Sequence, residues 1–319
     1  PGERMYVLML GTKGDHKLFF NKLFFVDKDL GIDIVWHSDV DDATQTIVDN
    51  LKDAKKIGVD KHWSANFLLD LMEKLPDVKF VNGSKCVDYK RMVKDDHEQQ
   101  LMIEASRIND QAIHEVIHQV SLGLSELEVA AKLGDIYSKF GGEGNSFDAI
   151  IAYGANGANP HHENDDSRLK PGDSIIIDMG CKYQGYCSDM TRTVFYKEVS
   201  QEAKEVYELV KAANEAAEAM IKPDVRLCDI DKTARDLITK AGYGKEFNHR
   251  LGHFIGKDVH EYGDVSVNFD LEVQEGMIFS IEPGVYLPGK FGVRIEDLVL
   301  VTKDGCKVLN SYTKDLIVI

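Results

Sequence analysis

Two stretches of the chain carry the same local pattern around an acidic residue. In each, a Gly is followed six residues later by a carboxylate and two residues after that by another Gly. The matching residues are Gly172, Asp178 and Gly180 in the first stretch and Gly276, Glu282 and Gly284 in the second. Each acid is followed on a second apolar stretch by another one, Asp189 and Glu296. Burying unpaired carboxylates in β structure costs several kcal/mol, so these four acids predict bound cations and favour a two-metal centre.

The best imidazole ligand for such a centre is His253, which lies in a segment rich in glycine and histidine. Carboxylate oxygens favour Mn²⁺, Mg²⁺ or Ca²⁺, and an imidazole shifts the preference toward Mn²⁺, Co²⁺, Fe²⁺ or Zn²⁺. An HExxH motif is absent, which argues against a single-zinc hydrolase. The neighbouring Gly252 and Gly256 favour a strand and a loop close to a site over a helix.

Length and composition restrict the class of protein. The 319 residues, 43% of them apolar, are enough for two domains with their own cores. A formal charge of −16 argues against nucleic acid or an anionic membrane as partner. Five cysteines without CxxC spacing argue against a disulfide framework and favour the reducing cytoplasm. No membrane span and no signal peptide are expected.

The order of predicted elements indicates a duplication. Residues 1–92 read as a small α/β domain, and residues 95–319 read as a larger domain in which the order helix, helix, strand, strand occurs twice. Ser125 and Glu128 form a capping-box pattern that predicts one helix ending near Gly141. The acids would converge where the two halves of this α+β domain bring their strands together.

The ordered set Asp178, Asp189, His253, Glu282 and Glu296 resembles the ligand set of the pita-bread metallopeptidases. The motifs around the last three, GHxxG, HE, IEPG and RIED, belong to the same resemblance. It covers about residue 95 to the C-terminus, and its spacing is that of the prolidase and aminopeptidase P branch. The resemblance implies a duplicated pita-bread catalytic domain. Residues 1–92 resemble the creatinase/prolidase N-terminal domain, shortened at its start.

The resemblance implies a role for each ligand. Asp189 and Glu296 would bridge two divalent ions, Asp178 would bind one ion, and His253 with Glu282 would bind the other. Mn²⁺ is favoured, with Co²⁺ or Zn²⁺ as alternatives. Glu282 would also accept a proton and pass it to the leaving amine.

Residues outside the ligand set are expected to contact the substrate. His161 resembles a substrate-contacting histidine of the family, and His260 resembles the one that hydrogen-bonds the scissile carbonyl. His249 matches a position found in prolidases and aminopeptidase P, while His162 is expected in solvent or in a supporting role. Arg294 is expected to orient a ligand carboxylate. Arg250 could bind a free C-terminal carboxylate, because Asp264 stands where many prolidases carry an Arg.

The resulting prediction is a cytoplasmic, homodimeric Xaa-Pro dipeptidase that uses two metal ions and acts on small peptides. Aminopeptidase P, which releases the residue before proline from longer peptides, is the alternative. A methionine aminopeptidase fits less well, because its short forms lack an N-terminal α/β domain. A pita-bread binding module without catalysis is disfavoured by the presence of all five ligands.

Overall fold

A computed structural model describes residues 4–26, 28–51 and 53–319 of the chain. The chain folds as two compact units, Pro1–Val87 and Asp88–Ile319. The limits predicted from the sequence, 1–92 and 95–319, place the change of domain a few residues later and stay a prediction. Across the described ranges, no helix has both the length and the apolar character needed to cross a membrane.

The N-terminal unit is a small α/β domain with two sheets. Its elements are β1 (Val7–Met9), β2 (Lys17–Asn21), β3 (Asp33–His37), α1 (Ala43–Val48), β4 (Lys56–Val59), α2 (Ala65–Lys74) and β5 (Lys79–Asn82). β2 lies between an antiparallel β1 and a parallel β3, and β4 pairs in parallel with β5. Met5, Phe19, Ile47 and Leu71 form its buried core. The next helix, α3 (Lys85–Met92), contains the boundary between the units.

The C-terminal unit has two halves, each with helices first and strands after. The first half contains α4 (Asp96–Ser121), α5 (Glu126–Ala130), α6 (Leu133–Lys139), β6 (Ile150–Tyr153), a 3₁₀ helix (Gly154–Ala158), β7 (Ser174–Met179), β8 (Lys182–Tyr183), β9 (Tyr186–Cys187) and β10 (Met190–Phe195). The second contains α7 (Gln201–Met220), α8 (Leu227–Lys240), β11 (Gly252–His253), β12 (Asp264–Val265), β13 (Ile278–Ile281), β14 (Gly284–Leu287), β15 (Phe291–Arg294), β16 (Asp297–Val301) and β17 (Cys306–Val308). The prediction of a duplicated α+β domain, preceded in the chain by a small α/β domain, is confirmed.

One local prediction is wrong. The single helix expected from Ser125 to about Gly141 is two helices, α5 and α6. The N–H of Lys132 donates to the carbonyl of Val129, three residues earlier, which tightens the last turn and ends α5. The predicted capping box at Ser125 and Glu128 is present and starts α5.

Each half fixes its first helix to the strand that carries or precedes its first acid with a buried asparagine. Asn109 of α4 donates from Nδ2 to the carbonyl of Met179 at 2.8 Å, and Asn214 of α7 donates to the carbonyl of Ile281 at 2.9 Å. Both asparagines are fully buried. The strand that carries or precedes an acid is therefore held by a directional bond in addition to apolar packing.

The two halves meet at the strand β10. This strand pairs with β7 in its own half, while β13 pairs with β16 in the other. The N–H of Glu296 donates to the carbonyl of Thr191 at 3.0 Å, and the hydroxyl of Thr193 donates to the carbonyl of Arg294 at 2.9 Å. The seam therefore runs beside the acids, as the matched motifs predict.

Close packing at Gly252 provides a test of this arrangement. A Cβ at Gly252 would lie 1.8 Å from the carbonyl oxygen of Ser280, whereas a Cβ at Gly134 in α6 has no atom within 4 Å. We expect Gly252→Ala to destabilise the fold by about 2 kcal/mol or more. Gly134→Ala should be neutral or stabilising by up to about 1 kcal/mol. Urea unfolding of the two variants measures the difference, and equal stabilities would contradict the packing described.

Candidate metal centre

The five predicted ligands come from five different places in the fold and converge. Asp178 lies on β7 and Asp189 just before β10, both in the first half. His253 lies on β11, Glu282 follows β13, and Glu296 lies between β15 and β16. The His253 Nε2 atom is 3.6 Å from Asp189 Oδ2, 3.7 Å from Glu282 Oε1 and 4.0 Å from Glu296 Oε1. Both halves thus contribute to one cluster.

His253 is in the form that binds a metal. Its Nδ1 lies 3.2 Å from the carbonyl of Phe254, and because a carbonyl only accepts, Nδ1 carries the proton. Burial, followed by the charge of His260, lowers the pKa of His253 to about 3. The ring is therefore neutral at pH 7 and presents the lone pair of Nε2 to the carboxylates, so its short contacts with them are not ion pairs.

The carboxylates repel one another in a place where water cannot screen them. Burial and then the charge of Glu296 raise the pKa of Asp189 well above its usual range. Burial and then Glu282 do the same for the pKa of Glu296, and burial raises the pKa of Glu282 to about 7. Without cations, these groups cannot all hold their negative charge.

The chemistry of the donor set fits divalent cations. Asp178 Oδ1, Asp189 Oδ1 and Glu296 Oε1 are buried and have no hydrogen-bond partner within the described part of the chain. Ligand atoms of Asp189, His253 and Glu296 all lie within 4.8 Å of one another. Buried oxygens without donors next to a neutral imidazole are what a cation would satisfy.

Arg294 donates hydrogen bonds next to the ligand carboxylates. It is 3% exposed and donates from Nη2 to Asp178 Oδ2 at 2.6 Å. Its Nε donates to the hydroxyl of Thr191 at 3.1 Å, and that hydroxyl donates to Glu296 Oε2 at 2.7 Å. The Arg294 guanidinium thus orients the Asp178 carboxylate directly. It orients the Glu296 carboxylate indirectly, through the Thr191 hydroxyl.

Thr191 and Tyr286 also belong to the site, although no local sequence pattern indicates them. Thr191 stands directly opposite Asp178 in the β7–β10 pair, a signal that appears only once the strand register is known. The Tyr286 hydroxyl accepts a bond from Arg294 Nη1 at 3.0 Å and donates to His249 Nε2 at 2.9 Å. His249 Nδ1 donates to the carbonyl of Arg250 at 2.7 Å, so both of its ring nitrogens have protein partners.

Two further histidines lie at the exposed rim of the centre. The His260 ring centroid is 4.2 Å from that of His253, with the rings nearly perpendicular. Burial and then the charge of Arg250 lower the pKa of His260. His161 is exposed, and the carbonyl of its neighbour Pro160 accepts from Arg294 Nη1 at 3.4 Å, which places this segment beside the centre.

Arg250 is paired with an acid at the same rim. Its Nη1 lies 2.5 Å from Asp264 Oδ1, and both side chains are partly exposed, 35% and 41%. Asp264 is the cross-strand neighbour of His253 in the β11–β12 pair. The cation that the sequence predicts for a substrate carboxylate is therefore beside the centre, with a competing carboxylate already in contact.

Comparison with known proteins gives the family. Residues 100–303 match metallopeptidase family M24, and residues 1–93 match the creatinase/prolidase N-terminal domain. The chain belongs to metallopeptidase family M24. The match supports a peptidase that uses divalent metal ions, which agrees with the donor set described above.

Relatives and a solved structure resemble the chain over about three quarters of its length or more. An Xaa-Pro dipeptidase of Pyrococcus horikoshii is 37% identical over 267 residues, which are 84% of this chain and 76% of that protein. The Bacillus subtilis protein YkvY is 43% identical over 241 residues, 76% of this chain and 66% of its own length. The prolidase structure from Thermococcus sibiricus superimposes with a TM-score of 0.92 at 35% identity, over 99% of this chain and 88% of that one.

Metal binding to this M24 chain should release protons. Because the pKa of Glu282 is raised to about 7 in the metal-free protein, a large fraction of that carboxyl is protonated at neutral pH. A ligating carboxylate must be ionised, so binding displaces the proton and becomes tighter as pH rises through about 7. Calorimetric titration with Mn²⁺ in buffers of different ionisation enthalpy measures the protons released. Binding near pH 7 without proton release would contradict the burial described for these acids.

Proposed function

We propose that this protein is a metal-dependent Xaa-Pro dipeptidase that hydrolyses the peptide bond preceding proline. The convergence of Asp189, Glu296 and the neutral His253 around buried oxygens without donors carries the proposal. Membership in family M24 and likeness to prolidases over both units support it. A non-catalytic binding module would have no use for four carboxylates kept at this electrostatic cost.

We propose two divalent ions per chain, with Mn²⁺ favoured and Co²⁺ or Zn²⁺ as alternatives. Asp189 and Glu296 would bridge the ions, Asp178 would complete one site, and His253 with Glu282 would complete the other. When bound, such ions lower the pKa of a water molecule and stabilise negative charge on a carbonyl oxygen. The oxygens of Asp178, Asp189 and Glu296 without hydrogen-bond partners are the observation that supports this assignment.

In this proposal, Glu282 transfers the proton. Its side chain is 16% exposed, more than those of Asp189 and Glu296, so it borders the open part of the cluster. As a carboxylate at this open edge, Glu282 can accept a proton and give it up again. Glu282 would therefore take a proton from the attacking water and deliver it to the nitrogen of the departing proline.

His260 and His161 would act on the substrate at the rim. The lowered pKa of His260 keeps its ring neutral at pH 7, so one ring nitrogen can donate to the scissile carbonyl oxygen. His161 would contact the bound peptide from the opposite half of the domain. His249 would border the same pocket, where its bond to Tyr286 also steadies Arg294.

Arg250 would recognise the free carboxylate that a dipeptide carries on its proline. An Arg binds a carboxylate strongly. The Nη1 atom of Arg250 already donates to Asp264. That same pair reduces the positive charge at the rim, which favours longer peptides without a nearby carboxylate. Aminopeptidase P activity is therefore the second candidate.

We also propose a homodimer in the cytoplasm. The homodimer rests on the resemblance to prolidases. For the location, the support is that Cys86, Cys181, Cys187, Cys228 and Cys306 are all free thiols, as a reducing compartment would keep them.

The two histidines of the GHxxG and HE motifs should separate metal binding from chemistry. His260→Ala should keep its metal content and fold but lose roughly two to four powers of ten in kcat, because it removes a partner of the carbonyl oxygen. His253→Ala should lose metal. Elemental analysis and steady-state kinetics of both variants measure this. If the two variants lose metal and activity alike, the roles assigned here are wrong.

Substrate length is tested through Arg250. Arg250→Ala should raise KM for Xaa-Pro dipeptides and lower kcat/KM roughly tenfold to a hundredfold, the value of a charged hydrogen bond. Amidated Xaa-Pro-NH₂ should be a poor substrate of the wild type and be little affected by the change. A wild type that prefers Xaa-Pro-Xaa tripeptides, with dipeptide hydrolysis unchanged in Arg250→Ala, would instead establish the aminopeptidase P activity.

A further inference from the structure

Away from the metal centre, a fully buried carboxylate organises the loop that carries His161. Glu126, the first residue of α5, is 0% exposed. Its Oε1 accepts bonds from the N–H of Tyr153 at 2.7 Å and from Asn156 Nδ2 at 2.9 Å. Its Oε2 accepts from His162 Nε2 at 2.6 Å and from the N–H of Asp165 at 3.0 Å. The four donors satisfy both oxygens.

These donors bracket the segment between the end of β6 and residue 165. Tyr153 and Asn156 lie before His161, and His162 and Asp165 lie after it. His161 itself is exposed, and its backbone N–H is held by Asn159 Oδ1 at 3.1 Å. Its position at the rim therefore depends on how the two ends of the loop are fixed, and both ends are fixed on one carboxylate.

Helix capping does not explain Glu126. The cap of α5 is made by Ser125 and Glu128, which exchange backbone and side-chain hydrogen bonds. Glu126, His162 and Asp165 are also close enough together to hold a metal ion. Their contacts are hydrogen bonds within the protein, however, and both oxygens of Glu126 are used by protein donors.

The second half of the domain has a counterpart. Asp231 of α8 is also 0% exposed and accepts from Arg235 Nε and Nη2, both at 2.8 Å, and from the N–H of Leu251 at 3.1 Å. Arg235 donates in turn to the carbonyl of His249 at 2.8 Å. In each half, a buried acid on the second helix in the chain order thus holds a segment that bears a histidine of the site. Glu126 with its basic partner His162 holds the His161 segment, and Asp231 with Arg235 holds the His249 segment.

We propose that Glu126 and His162 form a positioning pair that holds His161 in its reactive place at the rim. The inference rests on the role of His161 in the proposed function. Of the four donors to Glu126, His162 is the only one that can carry a positive charge, and it is adjacent to His161 in the chain. Loss of the pair would free the loop next to His161 while leaving the metal ligands in place.

A double-mutant cycle tests the proposal on the metal-loaded full chain. His162→Ala, with its side chain 12% exposed, should lower kcat/KM for an Xaa-Pro dipeptide roughly tenfold and keep the metal content of the wild type. His162→Ala in a His161→Ala background should cause little further loss, because it acts through His161. His162→Gln, which retains a donor, should recover part of the activity and serves if the alanine variant does not fold.

A matched control separates positioning from helix stability. Glu128→Ala removes the capping bond of the same helix and should lower Tm while leaving kcat/KM unchanged. Losses from His162→Ala that add fully to those of His161→Ala would overturn the proposal, as would wild-type kcat/KM in either single variant. Wild-type activity in His161→Ala would overturn the positioning proposal and leave the dipeptidase proposal standing. The dipeptidase proposal fails separately if the wild type does not cleave Xaa-Pro bonds.

Discussion

The structure depends on one electrostatic constraint: several carboxylates share a buried space that cannot hold their charge without cations. Asp189 and Glu296 are 4% and 2% exposed, and each keeps an oxygen for which the described chain offers no donor. Such an arrangement would be selected against if it served only the fold, because apolar residues of similar volume would pack there at lower cost. The metal centre explains why the acids are kept, and the surrounding elements hold them in register.

Each half of the duplicated domain holds its own acids in place with the same kind of contact. Each half supplies a helix with a buried asparagine that donates a hydrogen bond to a carbonyl of the strand beside an acid. The asparagine is Asn109 in the first half and Asn214 in the second. Arg294 then crosses from the second half to Asp178 in the first, so that neither half can place its ligands alone. A seam between two similar halves is a rigid place for such a cluster, because its strands are fixed from both sides.

Much of this could be predicted from sequence because the patterns were local. Gly172 and Gly276 both have positive φ, 91° and 85°, and each is the third residue of a turn that leads into a strand carrying or followed by an acid. That turn depends on a few adjacent residues, so the repeated spacing of Gly, acid and Gly indicated both strands that lie beside the acids. The resemblance to a known family then predicted which acids share an ion, an assignment that spacing alone leaves open.

The supporting contacts could not be predicted, because they join residues far apart in the chain. Thr191 reaches Glu296 across 105 positions, and His162 reaches Glu126 across 36. Single-sequence patterns carry no information about such pairs until the strands are in register. The break between α5 and α6 was missed for a different reason, since one tightened turn at Lys132 leaves the helical pattern of side chains almost intact.

Thermal unfolding as a function of pH, with and without Mn²⁺, tests the central claim most directly. The folded protein raises the pKa of Asp189, Glu282 and Glu296, so without metal their contribution to stability is present below the ordinary carboxyl pKa. It is lost as pH rises through the raised values, which for Glu282 is about 7. Cations replace the lost protons. We therefore expect Mn²⁺ to raise Tm far more at about pH 8 than at about pH 5. An equal shift at both pH values, or no shift, would contradict this account.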